Sequence, residues 1–457
     1  MVALLALFAW LVAFAVLDHG WGAVRLVLLA LGFGGTAALA WLKPVRVGSA
    51  APAALRAILL GLVIGALAAD LAVGAASVIH SARSGEIRMD QGEATYRAAL
   101  MLARGEDPWG RRALLDPEAY LRRLPQRMAL GDAPAQPPAE IDAMLRRYWQ
   151  TLDPDLRTAL LPPPPPGAAG ESAMLGYKYG PVPVLATVPA AMWVGPVAVP
   201  LMGLAAAIAL MVVLALLLAE SVAGEAFLMA VAALLLDPHV LRNFLYFTAS
   251  DVWPLLFGAA AVLAARKGAP VAMGAALALA LGSKLVPALL YLPLLAAHRS
   301  WRAAGACAIV TILIYAPFAW WDGTGLAHDL LLWPMAMAPD DTSWIADAPS
   351  WAIVAARLAL GAAIVWLALC WTAGREAPTL AMLAILAAAA APQFHNNYVP
   401  WFSIWMVLAA AEALAGPAQP ASASAARLAR LRAWGSRWRF LMRIDLGVTS
   451  TSSSSSI

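Results

Sequence analysis

Apolar residues fall in long unbroken runs along this chain rather than at the two- or three-residue spacing of a half-buried element. Runs occupy residues 2–17, 23–42, 53–79, 197–219, 226–236, 252–265, 271–281, 285–297, 303–320, 351–372, 380–391 and 399–415. A straight crossing of a bilayer core takes about 20 apolar residues. The longer runs therefore predict membrane-spanning helices, and the shorter ones predict helices that continue into less apolar flanks. Together they predict an all-α polytopic membrane protein with about 12 transmembrane helices. Between residues 79 and 180 the pattern changes. Residues 92–104 and 140–152 place apolar side chains at three- and four-residue spacing, which predicts amphipathic helices. The proline run at 162–166 reads as a stiff spacer.

Composition sharpens this picture. Of 457 residues, 62% are hydrophobic and 13% charged, about half the charged fraction of an ordinary soluble domain. A soluble fold of this length cannot bury so much apolar surface, whereas a bilayer solvates it. Cys307 and Cys370 both lie in apolar stretches and share no ligand or redox spacing. The stretch from 79 to 180 is the exception, with 13 Lys or Arg and 13 Asp or Glu. It divides the chain into N-terminal membrane helices (1–78), a large loop (79–180), a transmembrane bundle (181–415) and a basic, Ser-rich tail (416–457).

Charge also predicts orientation, because short cytoplasmic loops carry an excess of Lys and Arg. Lys43, Arg46, Arg56, Arg266, Lys267, Arg299, Arg302, Arg375 and the tail arginines all fall on one face when the crossings alternate. That face is predicted to be cytoplasmic, with both termini on it, in the cytoplasmic (inner) membrane. Residues 271–297 must then form a hairpin of two crossings with Lys284 at its outer apex. The first run lacks a basic n-region and reads as a retained helix rather than a signal peptide. The arginine-rich segment 427–443 reads as an amphipathic helix on the anionic leaflet.

Ionisable side chains within or beside membrane helices are costly and therefore informative. Arg25 and Asp70, on neighbouring helices, can pair with each other; Arg357 can snorkel outward or face a cavity. The remaining polar groups gather at the predicted outer helix ends: Asp90, Glu93, Lys178, Arg242, Asn243, Asp251, Lys284, His395, Asn396 and Asn397. Asp90 and Glu93 also suit the first turn of a helix, and Arg242 can serve as a loop partner for Asp237 or Asp251. The histidines show no ligand spacing, so no metal is expected. Nothing resembles a phosphate-binding glycine loop, a nucleophile elbow or a nucleic-acid surface.

Four motifs among these residues resemble a known family. They are Met89-Asp90-Gln91-Gly92-Glu93-Ala94-Thr95-Tyr96 continuing to Gly105-Glu106-Asp107-Pro108-Trp109; Tyr177-Lys178-Tyr179-Gly180-Pro181; Gly282-Ser283-Lys284-Leu285-Val286-Pro287; and Ala391-Pro392-Gln393-Phe394-His395-Asn396-Asn397-Tyr398-Val399-Pro400-Trp401. In this order they resemble elements of GT-C glycosyltransferases, closest to the family-87 type that uses polyprenyl-phosphate mannose or arabinofuranose. The resemblance spans roughly residues 86–415. It departs in having Gly180 where the family often has Pro, a longer loop, and two helices ahead of the one that precedes the loop.

The resemblance implies a GT-C-like bundle with a large periplasmic loop in its N-terminal half. It also implies transfer of a hexose or pentose from a polyprenyl-phosphate donor to a glycan or lipid acceptor, with membrane lipids as the only other partners and no cofactor. Asp90, then Glu93, would be the general base. Lys178, Arg242, Lys284 and His395 would face the donor phosphate. Tyr177, Tyr179, Asn243, Asp251, Asn396 and Asn397 would bind substrate, beside Trp333, Trp344 and Trp401. A transporter or flippase, which would show repeats and broken mid-membrane helices, and an O-antigen ligase or polymerase are the alternatives.

Overall fold

A computed structural model describes residues 22–41, 53–109, 177–222, 224–332, 349–371, 374–391 and 396–415. All regular elements among them are helical. In chain order they are α1 (Gly22–Trp41), α2 (Ala53–Ser84), α3 (Asp90–Ala103), α4 (Pro181–Val194), α5 (Ala198–Ser221) and α6 (Gly224–Leu235). A short turn, Pro238–Val240, then runs into a π-helical turn, Leu241–Tyr246. After it come α7 (Val252–Arg266), α8 (Pro270–Leu281), the short α9 (Leu285–Leu289) and α10 (Pro293–His298), α11 (Trp301–Ala327), α12 (Ser350–Leu369), α13 (Glu376–Ala390) and α14 (Val399–Ala415).

Four helical stretches are long and apolar enough to cross a membrane: Ala53–Ser84, Pro181–Ser221, Gly224–Tyr246 and Trp301–Ala327. Shorter apolar helices accompany them. Large apolar side chains such as Ile58, Ile64, Ile312, Leu313, Leu358 and Trp366 stay exposed along α2, α11 and α12, where lipid rather than water would solvate them. This is the build of a helical membrane protein.

The core lies among α5, α7, α8, α13 and α14, whose facing residues are almost all Ala, Leu, Val and Ile. Helix α7 is central, packing on α5 and α8, and α8 packs in turn on α11. Fifteen residues of α-helix rise about 22 Å, so α7 carries Asp251 just before one end and Arg266 at the other. Each end anchors a polar cluster. Residues 271–297 do turn back on themselves, because Arg266 and His298 both approach the same carboxylate, Glu376, at 3.3 and 3.5 Å.

The amphipathic helix expected over 92–104 is α3. Residues 2–17, 140–152, 162–166 and the tail lie outside the described residues. Helix α2 runs to Ser84, so the expected boundary at residue 78 falls inside it. Residues 181–194, which open the predicted bundle but belong to none of its apolar runs, form α4 despite Pro181, Pro183 and Pro189. Two of these prolines occupy the first turn, where a missing N–H costs nothing. The side chain of Arg25, the expected partner of Asp70, lies outside the described residues. Asp70 is buried on α2, while α1 packs against α13 and α14.

Candidate functional site

Asp251 is the hub of the first cluster. It has no exposed surface, yet it is held by three donors from two other parts of the chain. Lys284 Nζ donates to Oδ1 at 2.8 Å, Trp401 Nε1 to the same oxygen at 3.0 Å, and Asn397 Nδ2 to Oδ2 at 2.6 Å. Lys284 lies in the turn between α8 and α9; Asn397 sits in a 3-10 turn leading into α14, which carries Trp401. A buried carboxylate needs such partners, because an unpaired charge there costs several kcal/mol.

The ammonium of Lys284 is also ringed by aromatic faces. Its Nζ lies 5.3 Å from the Tyr179 ring centroid, 5.6 Å from Tyr398 and 5.7 Å from Trp401, all within cation–π range. Tyr398 and Trp401 stack on each other at 4.4 Å. Tyr179 reaches the site because its strand-like segment pairs with the Lys284 turn. Gly180 N donates to Ser283 O at 3.0 Å and Val182 N to Gly282 O at 2.8 Å. The two backbones approach so closely that a Cβ on Gly180 would lie 2.2 Å from Gly282 O. Proline here would both clash and lose the donated hydrogen bond, which gives a physical reason for glycine at the position where the resembling family often has Pro.

Helix α3 joins the site through Gln91. Its Oε1 accepts from Ser250 Oγ at 2.8 Å and from Ser250 N at 3.2 Å. Residues 90–91 thus lie against residues 250–251. Beside them, the Arg88 guanidinium stacks 4.0 Å over the Tyr246 ring of the π-turn, and Ser77 on α2 donates to Tyr246 O at 3.0 Å.

The structure brings Tyr179, Asp251, Lys284 and Asn397 into one cluster. Asp251 is wholly enclosed and fixes Lys284, Asn397 and Trp401 through its two carboxylate oxygens. Tyr177 is also fully buried, edge-on to Trp109 and Tyr179 at 5.8 and 5.4 Å; it packs α3 against α4 instead of lining the site. Lys178, between these two tyrosines, points to the exposed side, as alternation in an extended segment dictates. Glu93 is engaged by Arg97 one helical turn on, at 2.8 Å. Arg242 lies 5.7 Å from the Phe247 ring centroid, and Asn243 Nδ2 donates to His239 O at 2.9 Å; both belong to the π-turn. Asp90 begins α3, but its side chain, that of Asn396, and all of His395, Trp333 and Trp344 lie outside the described residues. Arg357 has Nε and Nη2 buried without a hydrogen bond among the described residues. Sequence reasoning missed Gln91 and Tyr398, and it counted Trp401 only as a sugar-facing ring. A tryptophan two residues into an apolar helix beside Asn-Asn-Tyr was the available signal.

At the other end of α7, Arg266 lies 2.7 Å from Glu412 and 3.3 Å from Glu376, and its Nη1 donates to Ser221 Oγ at 3.0 Å. Gly374 N also donates to Glu376 at 2.7 Å. Three or more His, Cys, Asp or Glu in metal-binding proximity do not occur among the described residues.

The fold and these two clusters define a helical membrane protein with one irregular, aromatic-lined polar site. Comparison with family models, with curated proteins and with solved structures finds no match.

Proposed function

We propose that the chain is a membrane glycosyltransferase of GT-C-like architecture that moves a hexosyl or pentosyl group from a polyprenyl phosphate to an acceptor on the outer side of the membrane. One observation carries the reading. Tyr179, Asp251, Lys284 and Asn397, three of them from separate family-like motifs, meet beside the N-terminus of α3, which belongs to the fourth.

In this reading Lys284 faces the phosphate whose charge grows as the glycosidic C–O bond breaks, and a lysine acts there as a point charge. Asp251 keeps that ammonium in place. The acceptor hydroxyl loses its proton to a carboxylate as it attacks the anomeric carbon, in a single displacement that inverts the centre. Glu93 is tied to Arg97, so Asp90 is the stronger candidate for the base. Tyr398 and Trp401 offer stacked faces of the kind that sugars pack against.

The test is transfer by the purified protein with a panel of polyprenyl-phosphate sugars. Asp90→Asn is expected to lower transfer at least about 10²-fold, the low end of general-base contributions, and Glu93→Gln far less. Wild-type protein that transfers no sugar from any donor would sink the reading. Wild-type activity that survives Asp90→Asn would overturn only the base.

A further inference from the structure

Between Pro238 and Arg266 the chain is helical on both sides of a short break at residues 247–251. The π-turn ends at Phe247, which is still right-handed (φ −91°, ψ −17°). Ala249, Ser250 and Asp251 already form helical turns into α7, with Val252 N donating to Ala249 O and Trp253 N to Ser250 O at 3.3 and 3.2 Å. Within this break Thr248 is the residue with a left-handed φ, 56°. It closes a helix cap in which Ala249 N donates to Asn243 O at 2.8 Å. That bond spans one residue more than the Schellman cap of an α-helix, as the wider π-turn requires.

This capping position normally belongs to glycine or asparagine. A left-handed β-branched residue is an outlier there, because its Cβ crowds the carbonyl that follows. Thr248 is accommodated because α5 presents Gly203 to it, where a Cβ would lie 2.9 Å from the Thr248 Cβ. The strain is opposed by the contacts the break makes possible: Ser250 on Gln91, and Asp251 among Lys284, Asn397 and Trp401. Strain and contacts pull in opposite directions on one backbone rotation.

We propose that Thr248 is a one-residue hinge. Rotation of its φ and ψ into the right-handed region fuses the π-turn to α7, draws Ser250 off Gln91 and withdraws Asp251 from Lys284, which opens the site. Closure restores the cap. The hinge is a property of the backbone and its neighbours, and it stands whichever ligand the site takes.

Hydrogen–deuterium exchange of the full chain in detergent, read on peptides covering residues 247–253, tests this. Thr248→Gly makes the left-handed state easy to hold, so exchange at Ala249 and Ser250 is expected to slow roughly tenfold relative to wild type. Gly203→Ala crowds Thr248 out of its place and is expected to speed exchange at the same amides. Peptides around Arg266 serve as the control and should be unchanged in both. Equal exchange in wild type and Thr248→Gly, or faster exchange in Thr248→Gly, would overturn the hinge even if Gly203→Ala fails to fold.

Discussion

The two ends of α7 hold buried ionic clusters of opposite design. At the Arg266 end one guanidinium meets two carboxylates, Glu376 and Glu412, carried by two further helices. Neighbouring pairs, Arg56 with Glu225 and Lys267 with Glu220, join helices in the same way. The backbone there is regular helix joined by tight turns, with one left-handed residue other than glycine, Arg299 (φ 46°), capping α10. At the Asp251 end one ammonium meets one carboxylate and three aromatic rings. The backbone around it is irregular: an extended segment at 177–180, a π-turn, and a left-handed threonine. Irregular backbone within a membrane protein is tolerated where it is enclosed by protein or lines a cavity, and strain collects at sites of action. The contrast separates an ionic clamp between helices from an aromatic-lined cluster held by irregular backbone.

Substitutions break this comparison most sharply at the clamp. Arg266→Leu leaves Glu376 and Glu412 facing each other without their cation. It is expected to destabilise the protein by about 3–5 kcal/mol, seen as a lower thermal midpoint in detergent. Transfer activity at permissive temperature should be retained by the folded fraction. A loss under about 1 kcal/mol would mean that the cluster does not hold the bundle together.

Lys284→Met is expected to cost about 3 kcal/mol, since Asp251 then sits buried and charged with only neutral donors. Adding Asp251→Asn should restore most of that stability while activity stays lost, which no change at the Arg266 end should imitate. Recovery of activity along with stability would remove Lys284 from the chemistry. Gly180→Pro is the mildest of the three. Loss of the bond to Ser283 and crowding against Gly282 are expected to cost about 1–3 kcal/mol. Such a variant should also loosen Tyr179 from Lys284, read as altered accessibility of the tyrosine.

How much of this was legible in the sequence follows from what each part depends on. Helices α2, α5, α7, α8 and α11 follow from apolar runs, because burial in lipid or core selects composition directly. Asp251, Lys284 and Asn397 were found because polar side chains at the mouths of apolar helices require partners, and Tyr179 through the motif resemblance. Which partners they take was hidden. The enclosure of Asp251 by Trp401 and Asn397 could not be seen, since hydrogen bonds across 146 and 150 residues leave no local signal. Gln91 was passed over for the acids on either side of it. Thr248 was invisible for a different reason: nothing in Phe-Thr-Ala-Ser announces a left-handed residue where the common signal is glycine. Helix α4 fell outside the apolar runs because prolines interrupt it, two of them in a first turn that accepts them without cost.

One contact bears on how such a protein changes over time. Trp109 is almost fully buried, and its Nε1 donates 3.0 Å to the carbonyl of Tyr179, 70 residues later. Positions 109 and 179 are therefore pinned to each other beside Phe318, whose ring centroid lies 4.7 Å from that of Trp109. Residues in direct contact couple energetically, so a change at one of these three sites alters what the other two can tolerate.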